Sequence, residues 1–430
     1  NPLEREKIIA HTRHIASQLF QLSQTQQLEA TAIAKKAAKT PQTVKIQSVD
    51  IKAVQAQLSP QSLILYFDTG SSQSHLWAVS HSDIELYRLP ADQILSEQVS
   101  AVLALVNGPP VVGAAKRRKK QTVAMALVAD ALFANTDIHW QHFKQLIVIP
   151  DGPLHYLPLS LLTLPGQSRA LVEDKPVTYA PSLAVWQQLS NRVDNHQQDK
   201  ILLVANPAMV KVEGNKGSDS VASLRAGFEA SELPYTKKEA DSVMAIAGQK
   251  VSLLSRENAS KEQLLAQELT DYQILHFATH GLSNSDVSSL GGLVLSNSAS
   301  ANNLLLVPEI SNLNINAELV VLSGCKTAVG KLIDGEGLQG LSRAFFEAGG
   351  KRVIGSLWSV QDDATATLMG AFYRLLLVDK KPPAEALRLA KLAVKNHQRN
   401  AFSGHQQQPW QDPFYWAGFV LQGSQGAWID

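Results

Sequence analysis

Two stretches, Leu275-His276-Phe277-Ala278-Thr279-His280-Gly281 and Leu319-Val320-Val321-Leu322-Ser323-Gly324-Cys325, each start as an apolar run of strand type and stop at a reactive side chain. One delivers an imidazole, the other a thiol. In an open parallel sheet, chemistry takes place in the loops beyond the carboxyl ends of the strands. If the two runs are neighbouring parallel strands, His280 and Cys325 emerge at one edge although 45 positions (325 − 280) separate them. That interval holds one crossover or a pair of hairpins, enough to bring the strands side by side. The chemistry expected there is nucleophilic. A thiol attacks as its thiolate, and His280 can take its proton and later protonate a leaving amine. Two backbone donors complete such a site. Gly281 has no side chain to block its N–H, and the N–H of Cys325 can be the second donor to a tetrahedral oxyanion. Gly324 keeps the Cys325 backbone open on its other side.

Other residues in this half have blander readings. His276 alternates with Ala278 and His280 along the strand and reads as a buried structural histidine. Gly335-Glu-Gly-Leu-Gln-Gly340 spells G-x-G-x-x-G, but about ten loop residues separate it from the strand ending at Ser323, so nucleotide binding is not expected. Asp334 and Glu336 read as loop acids near the cleft, able to accept basic substrate residues, or as solvated charges. No G-x-S-x-G nucleophile elbow occurs. Trp358, Phe372, Tyr373, Phe414, Tyr415 and Trp416 read as packing rather than a ligand box.

The elements that must position the pair follow from periodicity. At 430 residues, 45% hydrophobic and 18% charged, the chain is expected to hold two or three domains. Helix is expected over residues 3–38, then antiparallel strands at 62–67, 75–79 and 84–88, helices at 91–106 and 121–145, and a strand at 146–149. The basic run Lys116-Arg-Arg-Lys-Lys120 is expected in a solvated, mobile loop between the helices, and His155 in a structural hydrogen-bonding role. A polar linker at 190–200 precedes strand and helix in alternation: strands at 201–205, 251–254, 274–278, 319–323 and 352–357, with short ones at 292–296 and 303–306. The helices are expected at 236–247, 260–267, 337–348, 362–377 and 383–396, with a Gly/Ser loop at 213–219. Alternation of this kind predicts an α/β fold, a three-layer αβα sandwich with a mostly parallel sheet. The expected division is a helical segment at 1–40, a supporting domain at 41–195 and a catalytic domain at 196–430.

Bulk properties exclude several classes. A formal net charge of +1 gives no reason to expect nucleic acid or an anionic membrane as partner, and no apolar run approaches a membrane span. The charged start, without a Met, is expected to be a trimmed end lacking a signal-peptide core. One cysteine permits no internal disulfide and no multi-cysteine metal site, which fits a reducing, cytoplasmic setting.

Thr279-His280-Gly281, the stretches 322–330, 335–345 and 355–360, Leu368-Met-Gly-Ala-Phe-Tyr373 and Phe414-Tyr-Trp-Ala-Gly-Phe-Val-Leu421 together resemble the CHAT family, caspase-like domains commonly associated with TPR repeats. The resemblance runs in order along most of 140–423. It implies a caspase/separase-type αβα fold and a cysteine endopeptidase acting on protein substrates, with His280 as general base, Cys325 as nucleophile and no cofactor. It further implies that the N-terminal half is a degenerate, pseudo-caspase-like domain, and that TPR repeats or an activating partner lie upstream. Where the family usually has Ala before the Cys and Glu after it, this chain has Gly324 and Lys326. A small residue at 324 should preserve the geometry, and Lys326 favours the thiolate. The Gln-Ala-Cys signature of true caspases is absent, so strict Asp specificity does not carry over. Leu357-Trp-Ser-Val-Gln-Asp362 resembles the separase stretch whose aspartate receives a basic P1 side chain. Asp362 is therefore either the floor of S1, with Arg or Lys at P1, or the cap of the helix that follows it. On the first alternative, Lys116–Lys120 is a self-cleavage site. The rival function is a catalytically silent, caspase-like regulatory or partner-binding module.

Overall fold

Runs of Val, Ile and Leu buried on both faces set the architecture, as in β1 (Ser62–Asp68) of the first half. The computed structural model describes residues 49–110, 114–192, 199–208, 234–282, 291–296, 303–324, 327, 331–333, 337–397 and 410–424. The helix expected over 3–38 and the loop at 213–219 lie outside the described residues. The chain divides into two units, residues 1–192 with 332–338 and 422–426, and residues 193–331 with 339–421 and 427–430.

In the first unit, α1 (Ile51–Gln57) and β1 are followed by β2 (Ser74–Val79), β3 (Ile84–Leu89), α2 (Asp92–Val106), α3 (Ala114–Phe133), β4 (Gln145–Ile149), α4 (Leu171–Asp174), β5 (Val177–Tyr179) and α5 (Leu183–Ser190). The strand order is β3-β2-β1-β4-β5, antiparallel through β1, β2 and β3 and parallel from β1 to β4 to β5. Ile64 and Tyr66 pack with Trp77, Ile147 and Trp186, whereas Phe67 turns to the opposite face and meets Phe133, ring centroids 6.5 Å apart. The basic run is not a loop: Lys116–Lys120 lies in α3. Lys and Arg have helix propensities close to that of Leu, and Arg117 anchors the run by donating to the carbonyls of Gly108 and, at 3.0 Å, Pro109. The helix ends at Phe133 rather than near 145, because Trp140–His142 turns as a separate short helix with Trp140 edge-on to Phe133. His155 sits in another short turn, Gly152–Tyr156. Burial pushes its imidazole down to about 4 against the opposing charge of Asp151, so it is neutral at pH 7.

Beyond residue 192 the chain continues through β6 (Ile201–Pro207), α6 (Pro234–Ala247), β7 (Val251–Arg256), α7 (Lys261–Leu265), β8 (Ile274–Ala278), β9 (Gly281–Leu282), β10 (Gly292–Val294), β11 (Leu304–Leu306), α8 (Val307–Ser311) and β12 (Leu319–Leu322). It ends with β13 (Lys331–Ile333), β14 (Gly337–Gln339), α9 (Leu341–Ala348), β15 (Arg352–Ser356), α10 (Asp362–Tyr373), α11 (Pro383–Lys395) and β16 (Phe419–Gly423). The second unit's strands run β16-β15-β12-β8-β6-β7, and from β15 through β12, β8 and β6 to β7 each pairs in parallel with the next. Side chains alternate across β8. Leu275 and Phe277 enter the cluster containing Leu202, Val320 and Phe345 of α9, while His276 faces the other way and stacks on Tyr373 of α10. Helices thus cover both faces, giving the expected αβα layers with a mostly parallel sheet. The helix expected over 337–348 begins only at Leu341, because residues 337–339 pair as β14 with β13. Of the G-x-G-x-x-G stretch, residues 337–339 form a strand and Gly340 is the N-cap of α9.

Candidate active site

β8 and β12 pair in parallel from Leu319↔Ile274 to Leu322↔Phe277, so their carboxyl ends open at one edge. Ser323 N–H extends the pairing by donating to the Phe277 carbonyl at 3.2 Å. Gly324 then passes against the turn that carries His280. A Cβ there would run into the Thr279 carbonyl oxygen and stand 3.0 Å from the Gly281 nitrogen. Position 324 therefore requires glycine, a stricter demand than the small residue expected from the sequence. Cys325, Lys326, Asp334 and Glu336 lie outside the described residues. Both flanks of Cys325 are nonetheless tied down. The Gly324 carbonyl accepts from Ser356 Oγ at 2.8 Å, and Thr327 Oγ1 lies 3.0 Å from the Leu322 carbonyl and 3.3 Å from that of Gly324. Ser356 N–H in turn donates to Thr327 Oγ1 at 3.0 Å. Thr327 and Ser356 escaped the sequence reading, since hydroxyls that hold a neighbour's backbone carry no motif. The legible signal was Ser356 at the carboxyl end of β15, the same sheet edge.

His280 is half-buried on a fixed backbone. Its carbonyl accepts from Val294 N–H at 2.9 Å, Gly281 opposes Leu293, and the Thr279 hydroxyl donates to the Val294 carbonyl. The β9–β10 pairing thus clamps the peptide on either side of the imidazole. Asp362 does not cap α10. The N-cap is Gln361, which makes no side-chain cap hydrogen bond, and Asp362 is the first helical residue. Burial raises its carboxyl above the ordinary range, the His280 charge opposes this, and Glu239 and Asp363 add to it. Asp362 is therefore within electrostatic reach of His280. The two line one narrow cleft with Glu239 of α6, Thr279, Ser323 and Gly324.

Behind the cleft, His276 is fully buried. Its Nδ1 lies 3.0 Å from the Tyr373 hydroxyl, and its Nε2 lies 3.3 Å from Ser323 Oγ and 3.0 Å from Glu239 Oε1. Burial, then the Glu239 charge, holds the Tyr373 phenol well above its usual value, so it stays protonated and can donate to Nδ1. Serine and carboxylate meet the same ring nitrogen, so this is no Ser-His-Glu relay, which needs them on opposite nitrogens. Trp358, Phe414, Tyr415 and Trp416 are buried, and Trp358 Nε1–H donates to the Phe414 carbonyl at 3.1 Å.

The family model for the CHAT domain matches residues 119–424. The chain belongs to the CHAT family. Tetratricopeptide repeat protein 28 of Homo sapiens is 28% identical over 315 residues, 65% of this chain and 12% of the human protein. Its Mus musculus counterpart is 26% identical over 315 residues, with the same coverage of 65% and 12%. The CHAT chain thus spans 12% of the length of these relatives. Among solved structures, Saccharomyces cerevisiae separase, crystallised with securin, matches with a TM-score of 0.52 at 11% identity, over 87% of this chain and 31% of the separase chain. That likeness shows a caspase-like fold for the CHAT domain. Among the described residues, no helix is long and apolar enough to cross a membrane.

Proposed function

We propose that this CHAT chain is a cysteine endopeptidase with Cys325 as nucleophile and His280 as general base. The observation that carries this reading is the wedge of Gly324 against Thr279 and Gly281, because it sets the residue before the thiol against the peptides flanking the imidazole. In the reaction His280 takes the thiol proton and the sulfur attacks the scissile carbonyl carbon. The N–H groups of Gly281 and Cys325 meet the oxyanion, and His280 protonates the departing amine. Water, deprotonated by His280, then releases the acyl group from sulfur. Lys326 beside the thiol favours its ionised form.

Asp362 is assigned to S1, with Arg or Lys at P1; its place in the His280 cleft and its lack of a capping role support this. Asp334 and Glu336 would receive further basic substrate residues. Residues 41–195, after a helical segment at 1–40, would be a supporting, pseudo-caspase-like domain for the catalytic domain at 196–430. The setting would be cytoplasmic, with a protein substrate and an upstream TPR segment or activating partner. Self-cleavage at Lys116–Lys120 would need α3 to unwind first, since a protease takes its substrate extended; intact chain after long incubation of active enzyme would rule it out. Covalent labelling of Cys325 by a basic chloromethyl ketone, lost in His280→Ala, tests the dyad. Labelling that is absent, or indifferent to His280, would replace the enzyme by a silent partner-binding module. An Asp362→Ala variant that cleaves Arg peptides as well as the parent would remove the S1 assignment.

A further inference from the structure

We infer that Glu239 forms the inner, anionic end of the same cleft and, together with Asp362, selects a guanidinium side chain, an assignment that rests on the endopeptidase reading. Nothing in the sequence separates Glu239 from any glutamate on a solvated helix. The fold does: packing of α6 against α10 leaves it 2% exposed at the cleft wall. A carboxylate taken out of water is strongly disfavoured unless hydrogen bonds or an opposite charge compensate it. Glu239 Oε1 has no hydrogen bond among the described residues. Its near neighbour is His276 Nε2 at 3.0 Å, an ion-pair distance reached out of line with the ring N–H. That nitrogen is also approached by Ser323 Oγ, and the other ring nitrogen by Tyr373.

The second observation is Asp362, half-buried at the outer part of the cleft, its carboxyl raised chiefly by burial, lowered in part by the His280 charge and raised a little further by that of Glu239. Two acids therefore line one narrow space beside His280, and the described lining contains no Lys or Arg. An entering cation removes the repulsion and satisfies the orphaned oxygen. A neutral side chain of equal shape does neither. A guanidinium presents a planar fork of donors that can engage two carboxylates at once, whereas an ammonium is a point charge. Arginine is thus preferred to lysine, and both to citrulline, the neutral isostere of arginine.

The test uses the full chain as Cys325→Ala, titrated calorimetrically with agmatine, which carries the arginine side chain without a peptide. Agmatine binds this chain, and adding Glu239→Gln weakens binding at least about tenfold. A crystal of the agmatine complex places the guanidinium within about 4 Å of the Glu239 carboxylate, a measurement that stands even if the glutamine variant does not fold. No agmatine binding, equal affinity with and without Glu239, or a guanidinium held by Asp362 alone overturns the assignment. With Cys325 intact, Glu239→Gln lowers the Arg-over-citrulline ratio of kcat/KM at least about tenfold. An equal loss on both peptides marks Glu239 as merely structural. A chain that binds agmatine through Glu239 yet hydrolyses nothing keeps the pocket and loses the endopeptidase reading. Hydrolysis unaffected by Glu239→Gln does the reverse.

Discussion

Gly324→Ala adds one methyl group where the chain leaving β12 passes the His280 turn. The added carbon would collide with the Thr279 carbonyl oxygen, 3.3 Å from the carbon of that carbonyl and 3.0 Å from the Gly281 nitrogen. These are backbone atoms that cannot swing aside. The Thr279 hydroxyl is bonded to the Val294 carbonyl, the His280 carbonyl to Val294 N–H, and Gly281 is paired with Leu293. Segment 324–327 must therefore retreat, against the Ser356 bond that holds the Gly324 carbonyl at 2.8 Å. Overpacking of this kind typically lowers stability by about 1–3 kcal/mol. A retreat of roughly 1 Å between reacting groups reduces rate about a hundredfold. We expect kcat to fall by that order with KM little changed, and the urea midpoint to fall correspondingly. Two assays suffice: equilibrium unfolding followed by tryptophan fluorescence, and the rate of Cys325 alkylation by iodoacetamide against pH. The second reads imidazole–thiol pairing without turnover. An alanine variant with parental midpoint, alkylation profile and kcat would show room at 324, and the inferred approach of Cys325 to His280 would fall with it.

Lys391 on α11 is 5% exposed, and burial lowers its pKa from 10.5 to about 7. Because the folded value lies below the unfolded one, the unfolded chain binds more protons between pH 7 and 10.5, so stability rises with pH across that window. Lys391→Met should stabilise the chain most below pH 7, by at most about 4–5 kcal/mol, with the gain vanishing near pH 10.5; a gain independent of pH in urea titrations would refute this. Glu318 Oε2 lies 2.7 Å from Arg352 Nη1 and 3.4 Å from Lys351 Nζ, all three side chains buried. Glu318→Ala withdraws the carboxylate between two buried cations and should destabilise by about 3–5 kcal/mol, read as a lower urea midpoint; a loss under 1 kcal/mol would mean that water compensates the pair.

The strand ends that frame the candidate site could be read from residue order. An apolar strand that stops at His280-Gly281 and another that stops at Ser323-Gly324-Cys325 have only one orientation in a parallel sheet, and the strand-helix alternation around them makes that sheet parallel. The αβα layering followed because periodicity is a local property, set by neighbours along the chain. The misplacements share the opposite cause. Lys116–Lys120 looked like a loop because a charge run masks the helical pattern, while the bonds from Arg117 to the Gly108 and Pro109 carbonyls come from chain folded back on it. Residues 337–339 looked helical until β13 offered them a strand partner.

Asp362 and Glu239 mark the boundary most sharply. In sequence Asp362 could line S1 or cap a helix, and Glu239 could face solvent. Their shared cleft arises because α6 and α10, more than a hundred positions apart, pack on the same face of β8, and that proximity strips water from both carboxylates. Burial of a charge depends on what long-range packing brings over it. Residue order could nominate a thiol, an imidazole, Asp362 and Gly324, whereas the burial of Glu239 beside Asp362, and the strict need for glycine at 324, came from the three-dimensional arrangement.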